Sequence, residues 1–349
     1  MKGILNFVRM LFILVVFFLP TLAFAGTVQL PQTGQTTCYN AGGTVIACAG
    51  TGQDGDLLAG VAWPNPRFTD EGDQTVADNL TGLIWAKDGN VMMTRDPGFD
   101  TDSTPGDGAV NWQHALDYIK KLNQENYLGH NDWRLPNLKE LESLVSAGQS
   151  DNANRLNSQG YYNVQGNYYW SSSTYANYTS FAWLVTMCDG YLDIYNKSKY
   201  YYVWPVRAGQ SGSSGSSIIS LPRTGQTTCY NESGTVISCS GTGQDGELQM
   251  GASLPSPRFT DKGDQTVTDN LTGLNWTKDG NAPGPLSCGP GSLKIRQGSL
   301  DYVKCLNTNN YLVSRQPCNV AKSVVSYLHN QPGRIGYEEI HRDTHRRGS

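Results

Sequence analysis

The chain has 349 residues, a formal net charge of −4, 39 glycines, 19 tyrosines and 8 tryptophans. A mildly acidic balance excludes the basic footprint that nucleic acid or an anionic lipid surface demands. The abundance of glycine and aromatics suits a turn-rich extracellular fold, in a chain long enough for two ordinary domains.

Residues 1–25 have the pattern of a secretory signal. Lys2 and Arg9 give a basic start, Met10 to Leu22 is apolar, and Ala23-Phe24-Ala25 offers a cleavage site before Gly26. The apolar run is short for a bilayer span, which needs about 20 residues. No other segment is apolar enough, so no membrane span is expected in the mature chain. Removing Lys2 and Arg9 leaves 24 basic against 30 acidic side chains. Export to the periplasm, the cell surface or the medium permits disulfides. In residues 26–65, Cys38 and Cys48 flank "YNAGGTVIA"; Cys229 and Cys239 flank "YNESGTVIS". Each joins a turn to a β-branched run, which predicts a hairpin stapled by a disulfide. Zinc would need further Cys or His ligands in a spacing the chain does not show.

Residues 66–210 read as strands, helices and strands again. "RFTDEGDQTVADNLTGLIWAKD" suits two or three short antiparallel strands. In "NWQHALDYIKKLNQEN", Trp112, Leu116, Ile119 and Leu122 form one apolar helical stripe. "PNLKELESLVS" predicts a shorter helix: Asn137 as N-cap, Glu140 completing a capping box, and Leu138, Leu141, Leu144 and Val145 inward. Strands return from Tyr168 to Arg207. The pattern is α+β with two helices.

The module recurs. "LPQTGQTTCYN" at Leu30 returns as "LPRTGQTTCYN" at Leu221, and the match continues through "PRFTDEGDQTVADNLTGLIWAKDGN". A Ser/Gly linker, 211–218, separates the copies. The partial repeat, 219–312, has Arg296 where the first copy has Trp112, and no counterpart of "YYWSSS" or "VWPVR". It is expected to be truncated and poorly ordered or only partly folded. Cys288 and Cys305 can still pair, leaving Cys318 over. The tail, 313–349, is divergent and expected to be disordered.

"DNLTGLIWAKD", "NDWRLPNLKELESL", "YYWSSS" and "YYVWPVR" occur in that order from Asp78 to Arg207. Together they resemble the Lcl C-terminal domain family, named after the end of a bacterial collagen-like adhesin. The resemblance implies a C-type lectin-like fold, akin to that of formylglycine-generating enzymes, presenting a loop-rich binding face. Family members often carry cysteines where this copy has Lys121 and Pro205, so that staple is absent. The named adhesin is associated with sulfated polysaccharides; this face offers only Lys197, Lys199 and Arg207.

Trp133 is expected to plug the core, Arg134 to pair with a buried carboxylate, and Trp170 and Trp183 to bury. Eleven tyrosines lie between Tyr161 and Tyr202. Tyr offers stiff contact area, Ser and Asn adaptable hydrogen bonds, as in antibody loops. The expected ligand-binding residues are Tyr175, Tyr178, Ser180, Phe181, Tyr191, Asp193, Tyr195, Asn196, Ser198, Tyr200 and Tyr201, facing a protein or carbohydrate on another surface. The alternation of Tyr178, Ser180, Phe181, Leu184, Thr186, Cys188, Leu192, Ile194, Tyr195, Ser198, Tyr200 and Tyr201 with a fixed frame also resembles the variable proteins of diversity-generating retroelements. Catalysis has little support: there is no nucleophile elbow, no phosphate loop and no paired histidines, only His114, His130 and Cys188 in the module. No enzyme, cofactor or metal site is expected. Gly52 to Asp56 and Thr69 to Thr75 could offer oxygens to calcium, but such Asp-Gly turns form without it. The alternatives to a binding module are a structural envelope domain and an enzymatic use of the fold.

Overall fold

The computed structural model describes residues 28–100, 102, 104, 106–208, 218–281, 283–291 and 294–312. The expected signal segment, almost all of the linker, Cys318 and the tail lie outside these.

The chain begins with a stapled hairpin. β1 (Cys38–Tyr39) and β2 (Val45–Ile46) pair antiparallel, and a disulfide joins Cys38 to Cys48. The single-turn α1 (Asp54–Leu57) closes against them. Gln53 fastens it: its Oε1 accepts from Tyr39 N at 3.0 Å and its Nε2 donates to Tyr39 O at 2.8 Å. Residues 28–61 are hairpin A; the equivalent 219–252 are hairpin B.

The first core, residues 66–208, opens with the meander β3 (Phe68–Asp70), β4 (Thr75–Asp78) and β5 (Leu83–Ala86). Then come α2 (Val91–Arg95), β6 (Ala109–Val110), α3 (Trp112–Gln124), α4 (Leu138–Ser143) and α5 (Asn152–Ser158). The strands β7 (Tyr168–Thr174), β8 (Phe181–Thr186), β9 (Leu192–Asn196), β10 (Tyr201–Tyr202) and β11 (Val206–Ala208) complete it. One sheet runs β6-β10-β7-β8-β9; the other runs β11-β5-β4-β3, so the end of the core pairs with its beginning. Helices and sheets together make the fold α+β.

Two helices were expected, and α3 and α4 are where the apolar spacing puts them. The structure adds α2 and α5. "NANRLNS" is poor in helix formers, but Asp151 caps it by accepting from Asn154 N at 2.9 Å, and Ala153 and Leu156 are buried. Packing and capping override propensity there.

Five tryptophans fill the interior: Trp85, Trp112, Trp133, Trp170 and Trp204. Four donate their indole N–H to backbone carbonyls, of Ser171 (Trp112), Tyr127 (Trp133), Val110 (Trp170) and Ala86 (Trp204), at 2.8–2.9 Å. Buried aromatics that satisfy their polar atom are fixed in orientation as well as position. Arg134 makes a bidentate pair with buried Glu140, at 2.5 and 2.8 Å. The same carboxylate accepts from Asn137 N, and Asn137 accepts from Glu140 N, closing the capping box.

In the second copy, β12 (Cys229–Tyr230), β13 (Val236–Ile237) and α6 (Asp245–Leu248) rebuild the hairpin. β14 (Phe259–Asp261), β15 (Thr266–Asp269) and β16 (Asn275–Thr277) rebuild the meander, and α7 (Arg296–Thr308) corresponds to α3. A disulfide joins Cys288 to Cys305. Among the described residues no strand corresponds to β11, and the sheet stops at three. Phe259 is 56% exposed where its counterpart Phe68 is 7% exposed. In the first core Tyr161 stands edge-on to Phe68 at 5.2 Å and Arg155 of α5 lies over its ring at 5.9 Å; the described residues of the second copy hold no counterpart of either.

The hairpins cross between the copies. Ile219 N donates to Leu80 O of the first core at 3.0 Å; the equivalent Val28 N donates to Leu271 O of the second at 2.6 Å. Arg296 at the start of α7 donates to Gln53 of hairpin A at 3.2 Å. Hairpin A also leans on the first core, where Thr33 O accepts from Ala147 N at 2.8 Å.

Candidate binding face

The β7–β8–β9 ladder sets the geometry. Trp170 pairs with Leu184 and Leu184 with Asp193, while Ala182 pairs with Tyr195. Alternation therefore places Tyr168, Trp170, Ala182, Leu184, Asp193 and Tyr195 on one side of the sheet. Trp170, Ala182 and Leu184 are fully buried and form the floor. Above it three half-buried tyrosine rings meet: Tyr168 stands edge to face with Tyr195 and with Tyr201 at 5.5 Å, and Tyr195 is tilted against Tyr201 at 5.1 Å. Tyr201 also rests on the Trp170 edge at 5.1 Å. Tyr168 Oη donates to Asp193 Oδ2 at 3.3 Å. Burial, followed for Tyr168 and Tyr195 by the Asp193 charge, raises all three phenols. They remain neutral donors at physiological pH.

A second aromatic cluster occupies the β7–β8 turn. Tyr175 stands edge-on to Trp183 at 5.2 Å, and Tyr178 bridges Tyr175 and Phe181 at 6.1 and 6.0 Å. Trp183, expected to bury, is half-exposed here. It alternates to the side opposite Tyr195, where the Tyr175 ring stands edge-on to it.

None of the eleven expected ligand-binding residues is buried. Tyr178, Tyr191 and Tyr200 are exposed, at 60%, 52% and 46%, and so is Ser198. The structure does not gather the eleven into one patch. Asp193, Tyr195 and Tyr201 form the first cluster; Tyr175, Tyr178 and Phe181 form the second. Asn196 accepts from Ser198 N and Oγ, so both serve the turn before β10. Ser180 lies beneath hairpin B, its amide 2.7 Å from where a Cβ on Gly234 would stand. Tyr168 was not among the expected residues; its i, i+2 spacing to Trp170 in "YYWSSS" is the signal that finds it. Of the twelve positions resembling a diversified set, Leu184 and Thr186 are buried and ten reach the surface.

The cations of this region are largely spent. Arg207 is buried against Asp132 at 2.7 Å, and Lys197 is buried with Nζ 3.9 Å above the Trp112 ring. Burial pulls the Lys197 amine down to about 7, against the opposing pull of Glu232. Lys199 alone of the three is exposed. His114 lies against Phe99 at 4.9 Å, and the exposed Cys188 is a free thiol. In the acidic turns, Asp56 accepts from Gly52 N, Asp73 from Thr75, and Asp70 pairs with Lys87. A different loop brings carboxylate oxygens of Asp100, Asp102 and Asp107 within 4.8 Å of one another. They accept from Gly106, Gly108, Thr104 and Ala109, the ordinary work of a tight acidic turn.

Residues 74–207 match the Lcl C-terminal domain. The match begins at Gln74, just before β4, and ends at Arg207, so it includes both aromatic clusters and excludes both hairpins. No curated protein and no solved structure matches the chain. Within the Lcl C-terminal domain, Arg134–Glu140 and the five tryptophans hold the scaffold. From β7 to β10, Tyr168, Tyr175, Tyr178, Tyr191, Tyr195, Tyr200 and Tyr201 reach water with Asn196 and Ser198, whereas Tyr169 and Ser171 to Ser173 are buried.

Proposed function

We propose that the Lcl C-terminal domain of this chain is the recognition module of an exported, non-enzymatic binding protein of adhesin type. The observation that carries this reading is the Tyr168–Tyr195–Tyr201 triangle. Three neutral phenols and the Asp193 carboxylate stand on a buried tryptophan and reach solvent together. Rigid aromatic faces with hydroxyl tips suit a protein surface or the apolar face of a sugar ring. With Lys197 and Arg207 buried, a strongly anionic glycan finds little charge to meet here. Three disulfides fit an oxidising compartment, and no helix among the described residues is long and apolar enough to cross a membrane. The C-type lectin-like fold that the family resemblance implies would suit the same use of the face.

Binding of the labelled chain to a neutral-glycan array and to whole cells tests this. Tyr195→Ala with Tyr201→Ala should abolish retention while the circular dichroism of the fold persists. Retention unchanged by that pair would overturn the reading in favour of an inert envelope scaffold. If the ten surface positions are also diversified, a reverse-transcriptase gene and a near-copy of the 168–207 coding segment, differing at adenines, should lie nearby in the genome.

A further inference from the structure

Hairpin B sits on the first core through a compact set of contacts. Ser173 Oγ donates to Asp245 Oδ2 at 2.6 Å, and the Gln226 amide exchanges two hydrogen bonds with the Thr174 backbone at 2.8 and 2.9 Å. Thr179 Oγ1 donates to Gly234 O at 2.7 Å, Lys197 Nζ to Asn231 O at 3.3 Å and Asn137 Nδ2 to Met250 O at 3.3 Å. Gln226 and Asp245 are the hairpin side chains that hydrogen-bond this face, and the Tyr230 ring lies 5.8 Å from Lys197 Nζ; the other hydrogen bonds go to backbone carbonyls. Hairpin A has Gln35 and Asp54 at the equivalent places, and residues 30–61 and 221–252 agree at 23 of 32 positions. The two hairpins also share their internal bonds: Thr33 donates to Asp54 as Thr224 donates to Asp245.

The receptor side is not duplicated. The sequence after Leu312 has no counterpart of Ser173, Thr174, Thr179 or Lys197, and Arg296 replaces Trp112. Among the described residues the Asp54 carboxylate accepts from Thr33 alone, whereas the Asp245 carboxylate accepts from both Thr224 and Ser173. The described residues therefore hold two equivalent donors and one complete receptor.

We propose that the face of the first core formed by Asn137, Ser173, Thr174, Thr179 and Lys197 is a receptor for this hairpin sequence, and that hairpin A of a second copy of the chain is its intermolecular occupant. Within one chain, hairpin B is tethered at an effective concentration of about millimolar and holds the face. Releasing it opens the face to a second molecule, the exchange of like elements that makes swapped dimers. This inference is independent of the ligand reading.

The two turn glycines give the test. A Cβ on Gly234 would meet Thr179 Oγ1 at 2.6 Å and Ser180 N at 2.7 Å, whereas one on Gly43 meets nothing within 4 Å. Both have positive φ, which Asn tolerates. Sedimentation of the full chain at tens of micromolar should give one chain mass for wild type and for Gly43→Asn. Gly234→Asn should double the mass, and Gly234→Asn with Gly43→Asn should restore a single chain. Asp245→Arg, with Asp54→Arg as its partner change, repeats the design at another contact should the first variant fold poorly. A Gly234→Asn or Asp245→Arg chain that is folded but stays at single mass overturns the proposal. A dimer that survives the partner change in hairpin A overturns it too.

Discussion

Lys197 shows how a single side chain can tie stability to pH. In the folded chain its amine titrates near 7, well below its ordinary 10.5, because it is buried. The unfolded chain keeps that proton up to about 10.4. Between about pH 7 and 10.5 the unfolded state thus binds more protons, and stability rises with pH across this window. Below 7 both states are protonated and this group adds no further slope. Thermal midpoints should climb from pH 7 to pH 9, and Lys197→Met should flatten the climb. Glu140 makes the opposite case, a charge that is fully paired. Glu140→Ala leaves buried Arg134 without its carboxylate and removes the capping box, so chemical denaturation should show a loss of about 3–5 kcal/mol. Tyr178, Tyr191 and Tyr200 are open enough that each change to Ala should cost less than about 0.5 kcal/mol. Tyr195→Ala, half-buried in the ring triangle, should cost about 1–2 kcal/mol in the same denaturation series.

Local elements follow their sequence signals where those signals are chemical. The Asn137–Glu140 capping box, the Arg134 carboxylate partner and the Cys38–Cys48 hairpin were all legible, since each rests on groups close in the chain. The short α5 was not. Its composition argues against a helix, and only Asp151 and the burial of Leu156 rescue it. Asp151→Ala should therefore cost about 1 kcal/mol, an appreciable share for so short an element, and amide exchange in 152–158 should report it. The tyrosine stretch was half legible. Composition marked a surface, but the division into two clusters depends on strand register and on the irregularity between Trp170 and Thr174 in β7, which no local pattern encodes. The half-exposure of Trp183 has the same origin.

At the scale of the molecule, the repeat was plain in the sequence, but the crossing of the hairpins was not. Gln226 and Asp245 look like turn residues, and nothing in their own segment names Thr174 and Ser173 as partners. The crossing makes the second copy a structural part of the first. A chain ending at residue 208 should keep its sheets and melt lower than the full chain; diluted far enough to stay a single molecule, it should expose Lys197 and the Trp112 side and, unlike the full chain, have its Lys197 amine acylated readily. There is a temporal side to this arrangement. A polypeptide emerges from its amino end, so the first body is made and begins to settle well before residues 219–252 exist. Its lid arrives late, from a stretch translated after it. An interruption of synthesis anywhere in the intervening Ser/Gly stretch would leave that body bareheaded, free to take the early-made lid of a neighbouring nascent molecule instead.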